Sequence, residues 1–288
     1  MLLLVLLALA DDPTIRHIPV APADSVTVAI AGQGDPVVLV PGLFGSAYAF
    51  RKLTPLLHDA GYQTIIIEPL GIGESGRSAE ADYSLTAQAE RLAIVLDTLG
   101  LRDVIVVAHS HGGSISFRLA VLRPDLVAGI VSLEGGPAEE AASPGLRRAM
   151  KVAPLLKLVL REGMARRVIR SRLVAASGDS TWITEEVVTG YTSGLVADIG
   201  ATIDAYVQMA ESTEPWSLAE RLKEIACPVR LVVGGAPHEA GVPDEEVALM
   251  ARSLAAFAID SVPDVGHFAF EERPSAVAAA IERVGKDP

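Results

Sequence analysis

The sequence of 288 residues holds one cysteine, Cys227. A lone thiol excludes an intramolecular disulfide framework, a thiolate zinc cluster and an iron–sulfur centre. It does not fix a compartment, because a chain without disulfides can live on either side of a membrane. Positive charge is also scarce: 24 Lys and Arg stand against 36 Asp and Glu, a formal net charge of −12. Nucleic-acid binding needs clustered Lys and Arg facing phosphate, so that class of partner is excluded. No apolar run reaches the ~20 residues of a membrane-spanning helix, so no stable membrane insertion is expected. The longest such run opens the chain, Met1 to Ala10 (MLLLVLLALA). It ends in Ala8-Leu9-Ala10, a small-x-small pattern suited to cleavage before Asp11, but no basic residues precede it. It reads either as an export signal, for a periplasmic or secreted protein, or as an apolar segment that packs on the body of a cytoplasmic one.

What is present points to a globule. Half of the residues are apolar and 21% are charged, too hydrophobic a balance for a disordered chain. Strand and helix patterns alternate. Val26 to Ala31 reads as an edge strand. Val37 to Val40, Thr64 to Ile67, Val104 to Ala108 and Ala128 to Leu133 are short apolar runs of the kind buried on both faces of a parallel sheet. Between them lie helical patterns at 47–60, ended by Gly61, at 84–99, ended by Gly100, and after Gly113 through Leu122, ended by Pro124. From Pro137 to Ala226 the spacing is helical, with clustered Arg and no convincing strand. Alternation resumes with strands at Val229 to Val233 and Phe257 to Val262, and helices at 244–254 and 274–283. The pattern predicts an α/β fold, a doubly wound and mostly parallel sheet built from 11–136 and 227–288. A helical cap, 137–226, is inserted after the sixth core strand. The run Leu155, Leu156, Leu158, Val159 and Leu160 is expected to pack on the core and line an apolar pocket. No internal repeat is present.

In an open parallel sheet, ligands bind beyond the carboxyl ends of the strands. After Val104–Ala108 comes His109-Ser110-His111-Gly112, a serine between strand and helix with small residues, Ala108 and Gly112, at −2 and +2. That is the pattern of a nucleophile elbow. A serine hydroxyl needs a base, and histidine can take its proton and return it. Of six histidines, only His267 lies in a glycine-flanked loop after the last strand. His109-x-His111 offers two metal ligands, with no carboxylate or third histidine nearby in sequence. Gly71-Ile72-Gly73-Glu74-Ser75-Gly76 matches a dinucleotide fingerprint literally, but lacks the helix start and the later acid that such a site needs.

With the elbow, three further segments make the chain resemble the α/β-hydrolase superfamily. Pro41-Gly42-Leu43-Phe44-Gly45 is similar to the family's oxyanion loop, with proline for histidine. Glu68 to Ser75 resembles its Asp-x-x-Gly-x-Gly-x-Ser stretch, with glutamate for aspartate. Val265-Gly266-His267-Phe268 resembles the loop that carries the catalytic histidine. The resemblance implies a lidded, carboxylesterase-like serine hydrolase that cleaves small or medium apolar esters through an acyl-enzyme, without metal or cofactor. Ser110 would be the nucleophile, His267 the base, and the amides of Leu43 and His111 the oxyanion hole. For the acid, Glu239 fits best: it follows the strand Val229–Val233, four residues before Pro243 and 28 before His267. Glu134, directly after the strand Ala128–Leu133, is the competitor, since haloalkane dehalogenases carry their acid there. The same constellation serves C–C bond hydrolases, thioesterases, lactonases and perhydrolases. A non-catalytic small-molecule receptor of the same fold is the reading from outside enzymology. The oligomeric state is unknown from sequence.

Overall fold

Eight strands form one sheet in a computed structural model that describes residues 12–286. They are β1 (Thr14–Ala21), β2 (Asp24–Ala31), β3 (Asp35–Val40), β4 (Tyr62–Ile67), β5 (Val104–His109), β6 (Val127–Leu133), β7 (Val229–Gly234) and β8 (Phe257–Val262). The order across the sheet is β1-β2-β4-β3-β5-β6-β7-β8. From β4 to β8 all neighbours are parallel, while β2 runs antiparallel to both β1 and β4. The expected edge strand at 26–31 therefore lies one place inside the edge. Outside it is β1, whose mostly exposed side chains carry too little hydrophobic contrast to mark a strand. The segment Met1–Ala10 lies outside the described residues.

Strand alternation sorts the core into two layers. Val38, Val40, Val106 and Ala108 face one cluster; Val37, Leu39, Val107 and Val131 face the other. The helices follow the same division. Over the first face lie α2 (Leu85–Leu99), capped at its start by the Ser84 hydroxyl, and α3 (His111–Leu122). Over the second lies α12 (Pro274–Lys286), numbered in chain order. The helix expected at 47–60 is broken: a 3₁₀ turn spans Ala47–Phe50 and only Thr54–Asp59 (α1) is α-helical. Pro55 falls in that first turn of α1, where its missing N–H is harmless but where an unbroken helix could not pass.

Between β6 and β7 the described chain has helices and no strand: α4 (Pro144–Met150), α5 (Ala153–Val159), α6 (Glu162–Ala176), α7 (Glu185–Ala197), α8 (Ile199–Glu211) and α9 (Leu218–Arg221). After β7 come α10 (Asp244–Ser253) and α11 (Ala269–Glu272). The cap reaches the core through Ile169, Leu173, Val187, Val188 and Tyr191, which join the second core cluster. Its α5 does not behave as the sequence suggested. Leu155 and Leu158 are 57% and 70% exposed and Val159 is exposed too, while Leu156 and Leu160 are half-buried, so most of this leucine-rich run faces outward rather than into a pocket.

Candidate active site

Ser110 occupies the turn between β5 and α3 with φ 51° and ψ −116°. A serine in this region is strained by ~1–3 kcal/mol and stays there only where its surroundings dictate it. Here they do. The Ser110 amide donates to Leu133 O (2.9 Å), and its carbonyl accepts from Gly113 N (2.8 Å). The loop Pro41–Gly45 presses on the same turn, backbone to backbone. A Cβ on Gly42 would fall 2.9 Å from His109 Nδ1 and 3.1 Å from Ser110 Cβ. One on Gly112 would fall 2.7 Å from Val40 O. Only glycine at both positions allows this approach. It brings the half-buried Leu43 beside the elbow, while His111 opens α3. Among the described residues, neither of these two amides donates to another protein atom.

His267 follows β8 and is 5% exposed. Its amide donates to Ala176 O at the end of α6 (2.7 Å), and its carbonyl accepts from His109 Nε2 (3.2 Å). The two imidazole rings stand 4.6 Å apart, centroid to centroid. Core and cap thus fix His267 against the residue that precedes Ser110. Burial holds its imidazole well below the usual histidine value, and the nearby His109 and His238 act in the same direction. Burial likewise pushes His109 and His111 down to about 4.

The two candidate acids lie in different settings. Glu239 has a side chain 62% exposed and pairs with Arg172 at 3.3 Å on the surface. Glu134 has a side chain 2% exposed. Its backbone has φ 50°, and its amide donates to Val232 O (3.0 Å). That geometry turns the carboxylate toward the end of β7 and the loop after it, where the amides of Gly234 and Val242 donate to it. An oxygen of Glu134 and ring nitrogens of His238 and His267 all lie within 4.8 Å of one another. Burial raises the Glu134 carboxyl above its ordinary range, against the two amides and His238, which lower it.

The glycine-rich stretch after β4 serves architecture. Glu68, buried, accepts from Ala47 N (2.7 Å) and Glu74 N (2.6 Å), tying the start of the 3₁₀ turn to the next loop. The Ser75 hydroxyl donates to Glu68 O (2.6 Å) and accepts from Thr27 N (2.8 Å). Arg77 then bonds across to the cap, at Gly194 O (2.9 Å) and Thr202 Oγ1 (3.0 Å). Sequence reasoning passed over Arg77 and also His238, which sits in the very loop searched for an acid. A glutamate three residues ahead of Gly71-Ile72-Gly73 was the visible sign that this stretch binds its own backbone.

A small cavity of about 50 Å³, partly open to solvent, adjoins the elbow. The loop Pro41–Gly45, His109 and Phe268 form one side of it, and Ile169, Arg172, Leu173 and Tyr191 of the cap form the other. Ser110 and His267 do not line it themselves; each flanks a residue that does.

A family model described as the alpha/beta hydrolase fold matches residues 35–173. The chain belongs to the α/β-hydrolase superfamily. This α/β-hydrolase chain is similar to an uncharacterized hydrolase of Bacillus subtilis, YugF, at 26% identity over 247 residues, 85% of this chain and 88% of the relative. Two solved structures share its fold. An esterase of Thermogutta terrifontis gives a TM-score of 0.73 at 23% identity, covering 94% of this chain and 99% of that one. The epoxide hydrolase CorEH gives 0.77 at 20%, covering 95% and 98%.

Proposed function

We propose that this α/β hydrolase is a serine hydrolase of carboxylic esters, with Ser110 as nucleophile, His267 as base and Glu134 as the acid. The observation that carries the reading is the strained backbone of Ser110, wedged against a glycine loop, with the His267 ring packed on the neighbouring residue. In this reading Ser110 Oγ attacks the ester carbonyl while His267 Nε2 takes its proton. The amides of Leu43 and His111 hold the oxyanion, each worth about 2.7–4 kcal/mol in the transition state. His267 returns the proton to the leaving alcohol, and water then cleaves the acyl-enzyme by the same route in reverse. A base must be neutral to act, and the lowered basicity of buried His267 keeps it so at pH 7.

Glu134 replaces Glu239 in this assignment. An acid that must orient an imidazole has to be buried beside it, which describes Glu134 and not the surface pair Glu239–Arg172. The nucleophile also bears on the substrate. Epoxide hydrolases and haloalkane dehalogenases of this superfamily use aspartate at the elbow, so a serine favours acyl transfer over those reactions. The apolar walls of the cavity, Ile169, Leu173 and Phe268, suit small or medium apolar acyl groups. We read 137–226 as the cap that sets this preference.

The test is a panel of p-nitrophenyl esters of graded chain length, run beside a thioester and a lactone. The expected result is turnover of short to medium esters that falls by at least about 10⁴-fold in Ser110→Ala. Turnover that survives Ser110→Ala, or folded protein inert to the whole panel, would overturn the reading.

A further inference from the structure

His238 has no task in the reaction proposed above, yet it is built into that site. Its ring follows β7 with Nδ1 2.7 Å from Ala236 O. A carbonyl can only accept, so Nδ1 carries the proton and the neutral ring presents a lone pair at Nε2. That Nε2 lies 3.3 Å from Glu134 Oε1, on side chains 7% and 2% exposed. Two lone pairs at this distance repel unless a cation is shared between them. The third corner is His267, whose Nδ1 is buried with no hydrogen-bond partner among the described residues, as is His238 Nε2. One donor atom from each of the three residues lies within 4.8 Å of the others. Gly241 stands beside the cluster: a Cβ there would fall 3.4 Å from His238 Nε2 and 3.8 Å from Glu134 Oε2, so the missing side chain leaves space at that corner.

A shared proton satisfies one pair of these atoms. A divalent ion satisfies all three. Zn–N and Zn–O bonds of ~2.0–2.2 Å place neighbouring ligands of a tetrahedral ion roughly 3.3 Å apart. The Glu134–His238 pair already has that spacing, and His267 would close by at most about 1.5 Å on the same geometry. Two imidazoles and one carboxylate suit zinc rather than calcium or magnesium, which prefer all-oxygen shells.

We propose that Glu134, His238 and His267 bind a divalent transition-metal ion of the zinc type, and that its binding reversibly switches off the serine hydrolase. The switch rests on the function proposed above; the site does not. In the active tautomer, the His267 Nδ1 proton faces the acid and Nε2 is free to accept from Ser110. Metal at Nδ1 displaces that proton, which returns to the same ring at Nε2 with no net release. The neutral ring must then carry its proton on Nε2, where it can no longer take one from the nucleophile.

The test uses the full chain, freed of metal with a chelator, and titrates it with Co²⁺ followed by visible absorption and with Zn²⁺ followed by calorimetry. The expected results are the intense bands of four-coordinate cobalt, displaced by zinc, at one ion per chain. Loss of an outer-shell partner weakens metal sites by about 10–100-fold, so removing a ligand in His238→Gln or His238→Asn is expected to raise Kd by about 100-fold or more. Ester turnover of the wild type is expected to fall with the same half-point as the zinc isotherm and to return on chelation. In the His238 variants, the turnover each has without metal is expected to resist zinc at that concentration. Absence of cobalt bands and of binding heat in the wild type would overturn the site. So would binding that His238 substitution leaves unchanged. Zinc bound with undiminished turnover would overturn the switch. A protein without ester turnover or fluorophosphonate labelling would remove the hydrolase reading and the switch with it, while cobalt would still decide the site.

Discussion

At the scale of single residues, the account turns on which carboxylate serves His267. Glu134→Gln is expected to lower kcat by about 10²–10⁴-fold, because the amide cannot stabilise the imidazolium or hold its tautomer. Glu239→Gln, which loses only the exposed pair with Arg172, is expected to stay within about two-fold, as exposed pairs contribute little. Steady-state kinetics of the two variants decide between them; the opposite ranking would return the role to Glu239. The acid limb of kcat/KM is a second check. With His267 held well below the usual imidazole value by burial, and with His109 and His238 beside it, activity is expected to stay level from pH 8 to about 6.5 and to fall only below that. A limb centred above about 7 would mean that Glu134 dominates and raises His267 instead. Ser110 and His267 could be proposed from the sequence because each sits in a short motif whose shape is local. The choice between Glu239 and Glu134 could not be made there. Spacing along the loop after β7 cannot tell which carboxylate points inward, and the outward turn of Glu239 depends on the arginine-bearing helix α6, 67 residues away in sequence.

Among elements, the contact between the loop Pro41–Gly45 and the elbow is the most demanding. Gly42→Ala would drive a methyl to within 3.0 Å of His109 O and 3.1 Å of Ser110 Cβ. His109 O is backbone, and the His109 ring, 2.9 Å away, is buried and bonded to His267 O, so neither can yield cheaply. We expect kcat to fall at least about ten-fold with a loss of stability of about 1–3 kcal/mol, typical of overpacking. Chemical denaturation and kinetics on the same preparation check both. Arg77 joins two other elements, bonding Ser75 O (2.8 Å) on the core and Gly194 O (2.9 Å) and Thr202 Oγ1 (3.0 Å) on the cap. Arg77→Met removes these charged donors and is expected to cost about 2–3 kcal/mol. KM should rise more than kcat falls, since the cap lines the cavity and the chemistry lies in the core. Equal losses in both would contradict that division. The parallel strands were readable because buried β-branched runs have few other uses. The break at 50–54 and the edge strand β1 were not, because Phe50, Leu53 and Leu57 keep helical spacing across a real interruption, and β1 buries almost nothing.

For the whole molecule, the buried histidines couple stability to pH. His109 and His111 take up protons at about 4 when folded and at about 6.5 when unfolded. Between those values the unfolded chain binds more protons, so stability is full above about pH 6.5 and declines as pH falls toward 4. Each contributes on the order of 3 kcal/mol across that window. Glu68, Glu134 and Glu246, whose carboxyls burial raises, act in the opposite sense and soften the slope. Denaturant titrations at pH 7.5 and 5.0 are expected to show the decline, and His111→Leu, which keeps the backbone amide, should flatten it. A fold more stable at pH 5.0 would show that the carboxyls outweigh the histidines. The central claim is that one hydroxyl in this molecule, on a strained turn, is made nucleophilic by the fold around it. The most direct measurement treats the native protein with a fluorophosphonate and maps the adduct by peptide mass spectrometry. The account predicts a single adduct on Ser110, lost in His267→Ala; an adduct on another residue, or none on folded protein, would contradict it.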